Sequence, residues 1–506
     1  MFKFSRLVII YAIAAPLALI LGFLVVWPGM LPFEVISLIL FFLALPIFLQ
    51  WHHVLLIVFW NSVFNAAFLP GQPDFWLFFA FVSFAISFLN HVLFQKSFLH
   101  APEMTRPLLF LAVVVLGTAE LRGGIGIRSM GGTSYGGRYY VFVLGAILGY
   151  FAFTSESIPI LKGRKMANWF FIAGVTNALG NIAFMLGPLF YIFYLILPTT
   201  QAVGQAQAEA AGSDVVRVGG FATASLAVLS FLFVNYGIRG LFDWSKPWRF
   251  IFLCLTVVAA CLSGFRSTMA MLFLVFIIQF YYEGLFHTRL LPIVVGLAIL
   301  SFIPILFFSS SMPGSVQRAI SFLPVNVNPE ILVEAKSSAD WRVEMWDTVS
   351  REIPKYLLLG KGYTINPDEI FAVNEAARIG FPVSAYETCM VAGDYHSGPL
   401  SVLIPFGAIG AIAFIWVLIG GFQVLYRNHR YGDAKLRRIN CVLLSCYLAR
   451  CFSFFFIFGA LSTEFSVFLG LCGLSVSLNG GVKRRVVAPK RVPVPVAQQT
   501  LAMDPG

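Results

Sequence analysis

Charge is what this chain has least of. Charged residues make up 11% of its 506 positions, hydrophobic residues 59%, and the mean hydropathy is +0.85. An ordinary soluble domain is about 25% charged and roughly 45–50% apolar, so a water-soluble enzyme of several domains is excluded. Acid is scarcer than base, with 23 Asp and Glu against 34 Lys and Arg. The net +11 does not point to nucleic acid. The basic residues fall between apolar runs and not on one polar face, which is what membrane topology produces. Paired cysteines are absent as well. The cysteines at 254, 261, 389, 441, 446, 451 and 472 form no CxxC or Cys/His pair of zinc spacing. Six lie in or beside apolar runs as small core residues. Cys389 stands alone in a polar segment, with no partner for a disulfide inside it.

What the chain has in quantity is apolar runs, rich in the 54 Phe residues. A run of ~20 apolar residues crosses the hydrocarbon core as a helix. Such runs lie near 7–26, 35–50, 53–69, 75–93, 107–118, 139–153, 168–198, 220–238, 249–263, 267–283, 290–308, 398–424, 439–459 and 462–479. Several are short, and 35–69 can also be read as a re-entrant pair. The reading is therefore an all-α polytopic membrane protein with about 12–14 spans. It divides into a bundle over 1–308, one large loop over 309–397, C-terminal spans over 398–480 and a basic, Pro-containing tail over 481–506. The first run reads as an uncleaved span, because no small-residue cleavage site is clear.

Orientation follows from Lys and Arg. Placing both termini inside leaves only Arg122, Arg128, Arg138, Arg217 and Arg266 in the short outer segments, a bias of about four to one toward the inner ones. This predicts cytoplasmic termini and a periplasmic loop 309–397.

The unusual polar residues then share the outer face. His396 ends the loop, just before a span that opens SGPLSVLIPFGAIGAIAF with small residues at 398, 401, 407, 408 and 410, suited to close helix approach. An uncharged imidazole at a helix N-terminus is a usable general base, and Asp394 is close enough in sequence to orient it. The bland alternative is an interfacial histidine facing solvent. Arg266, in the turn CLSGFRSTM, and Arg217, just before a span, offer planar forks that suit phosphate. Snorkelling to lipid head groups is the alternative for each. The glycine-rich segment 122–138 carries Arg122, Arg128 and Arg138, and its backbone can aim successive N–H groups at one anion, unless it is simply a flexible tip. The loop stretch EMWDTVSREIPKYL (344–357) reads as an amphipathic helix. Arg450, deep in a span, is expected to pair with Glu464.

Together these residues resemble the O-antigen ligase and polymerase superfamily of membrane glycosyltransferases. Its loop ends in His, then Asn, Ser or Gln, nine residues, Gly, two residues, and Gly, Thr or Tyr. Here His396-Ser397 is followed by nine residues, Gly407, Ala408-Ile409 and Gly410. The Ser-Gly-x-Arg turn appears as Ser263-Gly264-Phe265-Arg266, the Arg before a Gly at a span start as Arg217 and Gly220, and the loop order Arg, Trp, Pro, Gly-x-Gly as Arg342, Trp346, Pro354 and Gly360-Lys361-Gly362. The likeness covers about 215–425; the glycine-rich segment 122–138 departs from it. The resemblance implies transfer from a polyprenyl-pyrophosphate-linked glycan to a glycan or lipid A-core acceptor in a bacterial inner membrane, with no cofactor and no metal. His396 and Asp394 would be catalytic, and Arg217 and Arg266, with Arg122, Arg128 and Arg138, would hold the donor pyrophosphate. Ligase and repeat-unit polymerase share the donor, so these residues do not separate them. A transporter, or a non-catalytic secretion-complex subunit, is the reading from another class. No internal inverted repeat supports the transporter.

Overall fold

The computed structural model describes residues 31–66, 69, 71–124, 136–210, 215–365, 367–379, 389–390 and 393–484. Among them there is no β-strand, only one isolated bridge between Asn65 and Asp74. That follows from the composition: in lipid every backbone N–H and C=O must be satisfied within its own segment, and a helix does so. The protein is an all-α polytopic membrane protein.

Eight of the described helices are long and apolar enough to cross a membrane, and four shorter apolar ones stand beside them. In chain order the bundle elements are α1 Leu31–Phe59, α2 Phe75–Phe94, α3 Pro102–Arg122, α4 Gly137–Phe153, α5 Ile160–Ile172, α6 Asn177–Leu186, α7 Thr200–Ala210, α8 Gly219–Leu241, α9 Trp248–Leu262, α10 Arg266–Tyr282 and α11 Leu290–Phe308. The loop holds α12 Gly314–Ile320, α13 Pro329–Ser350, α14 Ile353–Tyr356 and α15 Pro367–Arg378; the C-terminal spans are α16 Gly398–Tyr431, α17 Arg437–Phe456 and α18 Leu461–Asn479.

Two readings of the sequence change. The runs 35–50 and 53–69 are neither two spans nor a re-entrant pair, but one continuous helix, α1, that carries Pro46 inside it. Proline inside an apolar helix is tolerated where neighbours re-satisfy the freed carbonyl. The span count falls by one, so the face on which residue 1 lies turns on residues 1–30, outside the described residues. The run 168–198 is not one helix either. It passes from α5 through a 3-10 turn, Ala173–Thr176, into α6 and stops at Gly187, φ 94°.

The core is continuous through the bundle. The helix pair α16 and α3 packs closely, as do α18 and α4, α2 and α4, α8 and α9, and α10 and α17. Close approach is bought by glycine at two points: a Cβ on Gly420 would lie 2.2 Å from the Glu103 carbonyl oxygen, and one on Gly470 2.0 Å from Trp60 Nε1. By contrast α11 has no fully buried residue; Leu290, Leu291 and Val294 near its start pack partly against the core, and most of the rest is left to lipid. Arg450 meets Glu464 through two contacts, 3.0 and 2.9 Å, which neutralises a charge within a span. All seven cysteines are free thiols.

Candidate active site

The loop packs over the helix ends at one face through two small clusters. Val215, ahead of α8, is buried with Val327 and Ile331. This brings Arg217 beside α13. Met345 and Val349 of α13 are buried with Tyr395 and Ile404, which draws the other end of α13 over the start of α16. The α13 helix begins with Pro329 at its first position and the Asn328 side chain accepting from Glu330 N at 3.1 Å, a standard N-terminal cap. It therefore starts well before 344 and ends at Ser350, not 357. Buried Gln317 organises the stretch between the clusters. Its Nε2 donates to the carbonyls of Ser310 (3.1 Å) and Met312 (2.8 Å), and its Oε1 accepts from Asn328 N at 2.9 Å.

These constraints gather four guanidinium groups. Arg217, Arg266, Arg318 and Arg342 line one cavity of ≈ 770 Å³, together with apolar residues such as Phe265, Phe273, Phe322 and Phe456. One carboxylate serves them. Glu334 Oε1 accepts from Arg217 Nη2 at 2.6 Å and lies 3.4 Å from Arg318 Nε. Arg266 donates to the Ala335 carbonyl at 2.9 Å, and Arg318 to the Gly264 carbonyl at 2.8 Å. Arg318 is only 4% exposed, and burial, then its neighbour Arg217, pull its pKa down to about 10 despite Glu334. Arg342 is lowered too, first by burial and then by Arg266 and Arg217. The buried Nε atoms of Arg318 and Arg342 and the Oε2 of Glu334 make no hydrogen bond among the described residues. Four cations around one carboxylate, partly desolvated and with donors to spare, form a site for a multiply charged anion.

Beside the cavity stands the His396–Asp394 pair. His396 Nδ1 is 2.7 Å from Asp394 Oδ1, and its backbone N–H lies 3.4 Å from the same oxygen. A carboxylate can only accept, so in the neutral ring the proton sits on Nδ1 and Nε2 is the basic nitrogen. Burial alone would raise Asp394, but the ring bond, the imidazole charge and the backbone N–H more than offset it and hold the carboxyl below its usual range. His396 adopts φ 48°, a left-handed conformation that is uncommon outside glycine. Its ring rests between Trp341 (centroids 5.4 Å) and Phe458 (5.3 Å). The next residue after Trp341 is Arg342, and the residue before Phe458 is Ile457. Both line the arginine cavity. His396 itself does not line the cavity; it is one residue removed from it through each of its two ring neighbours.

The start of α16 is locked at a fixed height. A Cβ on Gly398 would lie 2.1 Å from the Phe454 carbonyl oxygen, and Ser401 Oγ accepts from Leu461 N at 3.0 Å. Gly407 has φ 65°, and there α16 breaks. The loop docks into the break: Lys361 N donates to Ile404 O (2.7 Å), Gly362 N to Pro405 O (2.9 Å), and Ala408 N to Leu357 O (2.6 Å). The sequence reading took the glycine for close helix packing. It also marks where the helix opens to accept the Gly-Lys-Gly segment. Trp346 Nε1 donates to the Tyr395 carbonyl at 2.9 Å, tying α13 to the strained turn.

The structure therefore brings together Arg217, Arg266 and Arg342, and sets His396 and Asp394 beside them. It does not bring Arg122 or Arg138 to that cavity. Arg122 packs where Gly362 would carry a Cβ, 3.0 Å away. Arg138 is 4.0 Å from Asp74 and lies over the Phe142 ring at 4.9 Å. Arg128 lies outside the described residues. Arg318 and Glu334 went unread in the sequence; an arginine in PGSVQRAI, a helical turn opened by Pro-Gly, was the available signal.

Fold and site together define a polytopic membrane protein with a four-arginine cavity near an imidazole–carboxylate pair. Residues 250–415 match the family model described as O-Antigen ligase. The matched stretch includes Arg266, Arg318, Arg342, Asp394 and His396 and leaves Arg217 outside. No curated protein matches the chain.

Proposed function

We propose that the protein transfers a glycan from a polyprenyl-pyrophosphate carrier to an acceptor hydroxyl, in the manner of an O-antigen ligase, on the periplasmic face of a bacterial inner membrane. Loop 309–397 is periplasmic and the ends of α16 and α18 near 431 and 480 are cytoplasmic, on the Lys and Arg bias. The observation that carries the reading is a cavity lined by four arginines, with a carboxylate-oriented histidine packed on the chain neighbours of two lining residues. The pyrophosphate sits among Arg217, Arg266, Arg318 and Arg342, and the acceptor hydroxyl approaches His396 Nε2. The hydroxyl proton passes to Nε2 as its oxygen bonds the anomeric carbon. The bond from that carbon to the pyrophosphate oxygen breaks, and the electron pair leaves with the lipid pyrophosphate. The arginines stabilise the charge that develops there.

The test uses purified full-length protein in lipid with donor glycolipid and acceptor, scored separately for binding and transfer. His396→Ala binds donor and does not transfer. Near-normal transfer by this variant removes the assignment, and loss of donor binding gives His396 a binding role instead. Deleting the gene in its host separates the two readings the family shares. Accumulated polymerised carrier-linked glycan marks a ligase, and accumulated single repeat units mark a polymerase.

A further inference from the structure

The far end of α8 carries a second arginine cluster, which the transfer chemistry does not use. Arg164, Arg239, Arg249 and Arg438 arrive from α5, α8, α9 and α17 and line a cavity of ≈ 500 Å³ with Asn235, Tyr236, Gly240 and Asp243. A topology bias asks only that basic residues lie on this side; it does not ask four helices to aim them at one space. Three of the guanidiniums are held. Arg164 Nε donates to Asn235 Oδ1 at 2.9 Å, Arg438 Nη1 to the Asn235 carbonyl at 2.9 Å, and Arg249 Nη1 to the Gly240 carbonyl at 3.1 Å. Arg249 also lies over the Tyr236 ring at 4.3 Å and the Trp248 ring at 5.5 Å, and its buried Nε makes no hydrogen bond among the described residues. The single carboxylate, Asp243, is 3.8 Å from Arg249 and is already engaged by Ser245 through its N–H (3.1 Å) and hydroxyl (2.6 Å). Positive charge is in excess, and it is held in a fixed geometry.

The surroundings are those of a membrane surface. Trp244 and Trp248 are 63% and 44% exposed beside the cavity, at the position where aromatic side chains meet head groups. Along α9, exposed Trp248, Phe252 and Leu255 follow at helical spacing and lead from the arginines toward the hydrocarbon. We propose that this cavity binds the phosphate of an anionic phospholipid from the leaflet at that face, the inner leaflet under the topology above. The head-group phosphate lies among the four guanidiniums, and an acyl chain runs along Phe252 and Leu255. The apolar strip is what favours a lipid over a soluble phosphate.

The test is native mass spectrometry of the purified full chain, incubated with vesicles of phosphatidylglycerol or of phosphatidylcholine. A parallel arm measures thermal shift with inorganic phosphate alone. The wild type retains phosphatidylglycerol in preference to phosphatidylcholine. Arg249→Gln and Arg239→Gln each lower that retention about fivefold, as expected for one basic residue at an anionic surface. Arg239 is exposed, so its replacement reports binding without disturbing the bundle. Equal retention of the two lipids, or unchanged retention in both variants, overturns the proposal. A shift with phosphate alone and no retained phosphatidylglycerol overturns the lipid as its source.

Discussion

At one end of α8, Arg217, Arg266, Arg318 and Arg342 share a cavity with Glu334 close by; at the other end, Arg164, Arg239, Arg249 and Arg438 share one with Asp243. The formal charges are the same, and the two sites stand a helix length of 23 residues apart, about 35 Å at 1.5 Å per residue. What differs is solvent. At the loop end Arg318 and Arg342 are buried enough for their pKa values to fall. At the far end Arg164, Arg239 and Arg438 are exposed. A charge in a dry wall acts strongly on charge that develops during a reaction, whereas an exposed one is screened by water and salt. Neither lining contains a histidine, but at the loop end His396 packs on Trp341 and Phe458, the chain neighbours of the lining residues Arg342 and Ile457. Arginine count alone therefore does not make a reaction site. On the proposed function, burial and a nearby base do.

The largest effect that tests this contrast is on the base. His396→Ala is expected to lower transfer by about 10²–10⁴-fold, the usual reach of general-base catalysis, with donor binding retained. Arg239→Gln, at the far cavity, leaves the transfer rate unchanged. A comparable rate loss in both variants would erase the distinction between the two ends.

Next comes the desolvated arginine. Arg318→Gln is expected to weaken binding of donor, or of inorganic pyrophosphate, by roughly 10- to 150-fold, the equivalent of one charge-assisted contact. Calorimetry at two salt concentrations sharpens the comparison, because binding in the dry cavity should vary less with salt than lipid retention at the exposed one. The pH sign also follows. The folded pKa of Arg318, about 10, lies below the ordinary arginine value. Its burial beside other cations thus costs stability at every pH below about 10, and that cost fades as pH rises from there toward the ordinary arginine value. Pyrophosphate should raise the melting temperature of the wild type and do so less for Arg318→Gln.

Much of the bundle was legible because apolar runs have one solution in lipid. The runs 75–93, 267–283, 290–308 and 462–479 fall within a residue or two of their helices. The failures have local causes. A hydropathy window sees Gln50, Trp51 and His52 as an interruption, but His52 and His53 are buried, with Nδ1 of His52 2.9 Å from Ser83 Oγ, so α1 runs on through them. At the site, the residues next to span ends were readable, because short turns leave few places to put an arginine. Arg318 and Glu334 were not, because they sit in an 89-residue loop, 309–397, whose folding depends on Gln317 and on two small clusters with no periodic signature. The docking of Gly360–Gly362 into the α16 break joins positions more than 40 residues apart, a contact that no spacing rule anticipates.

A smaller effect is expected at the orienting carboxylate. Asp394→Asn keeps an acceptor for the His396 Nδ1 proton but removes the charge that favours it. Transfer should fall by about 10-fold, in kcat more than in KM, consistent with one neutral bond replacing a charged one. The sign in acid can be checked separately. Asp394 is held below its usual range in the folded state, so its contribution to stability is present above the ordinary carboxylate pKa and is lost as pH falls through the lowered one. Acid melts of Asp394→Asn should lack that step. A variant losing as much activity as His396→Ala would make the carboxylate more than an orienting group.

The smallest effect bears on where the loop-end cavity stops. Arg138 belongs to the first turn of α4; its side chain is 62% exposed, and it reaches Asp74 only at 4.0 Å. The neighbouring Tyr139 ring meets Tyr363 at 5.2 Å, so this end of α4 touches the docked Gly-Lys-Gly segment without entering the arginine cavity. Exposed pairs of this kind contribute about 0–1 kcal/mol. Arg138→Gln should therefore change donor affinity by no more than about fivefold in the calorimetric assay used for Arg318→Gln. A loss as large as that of Arg318→Gln would mean that the donor reaches past the cavity to α4. It would then extend the anion site to the glycine-rich segment and to Arg122 and Arg128, and make the loop-end site larger than its buried core.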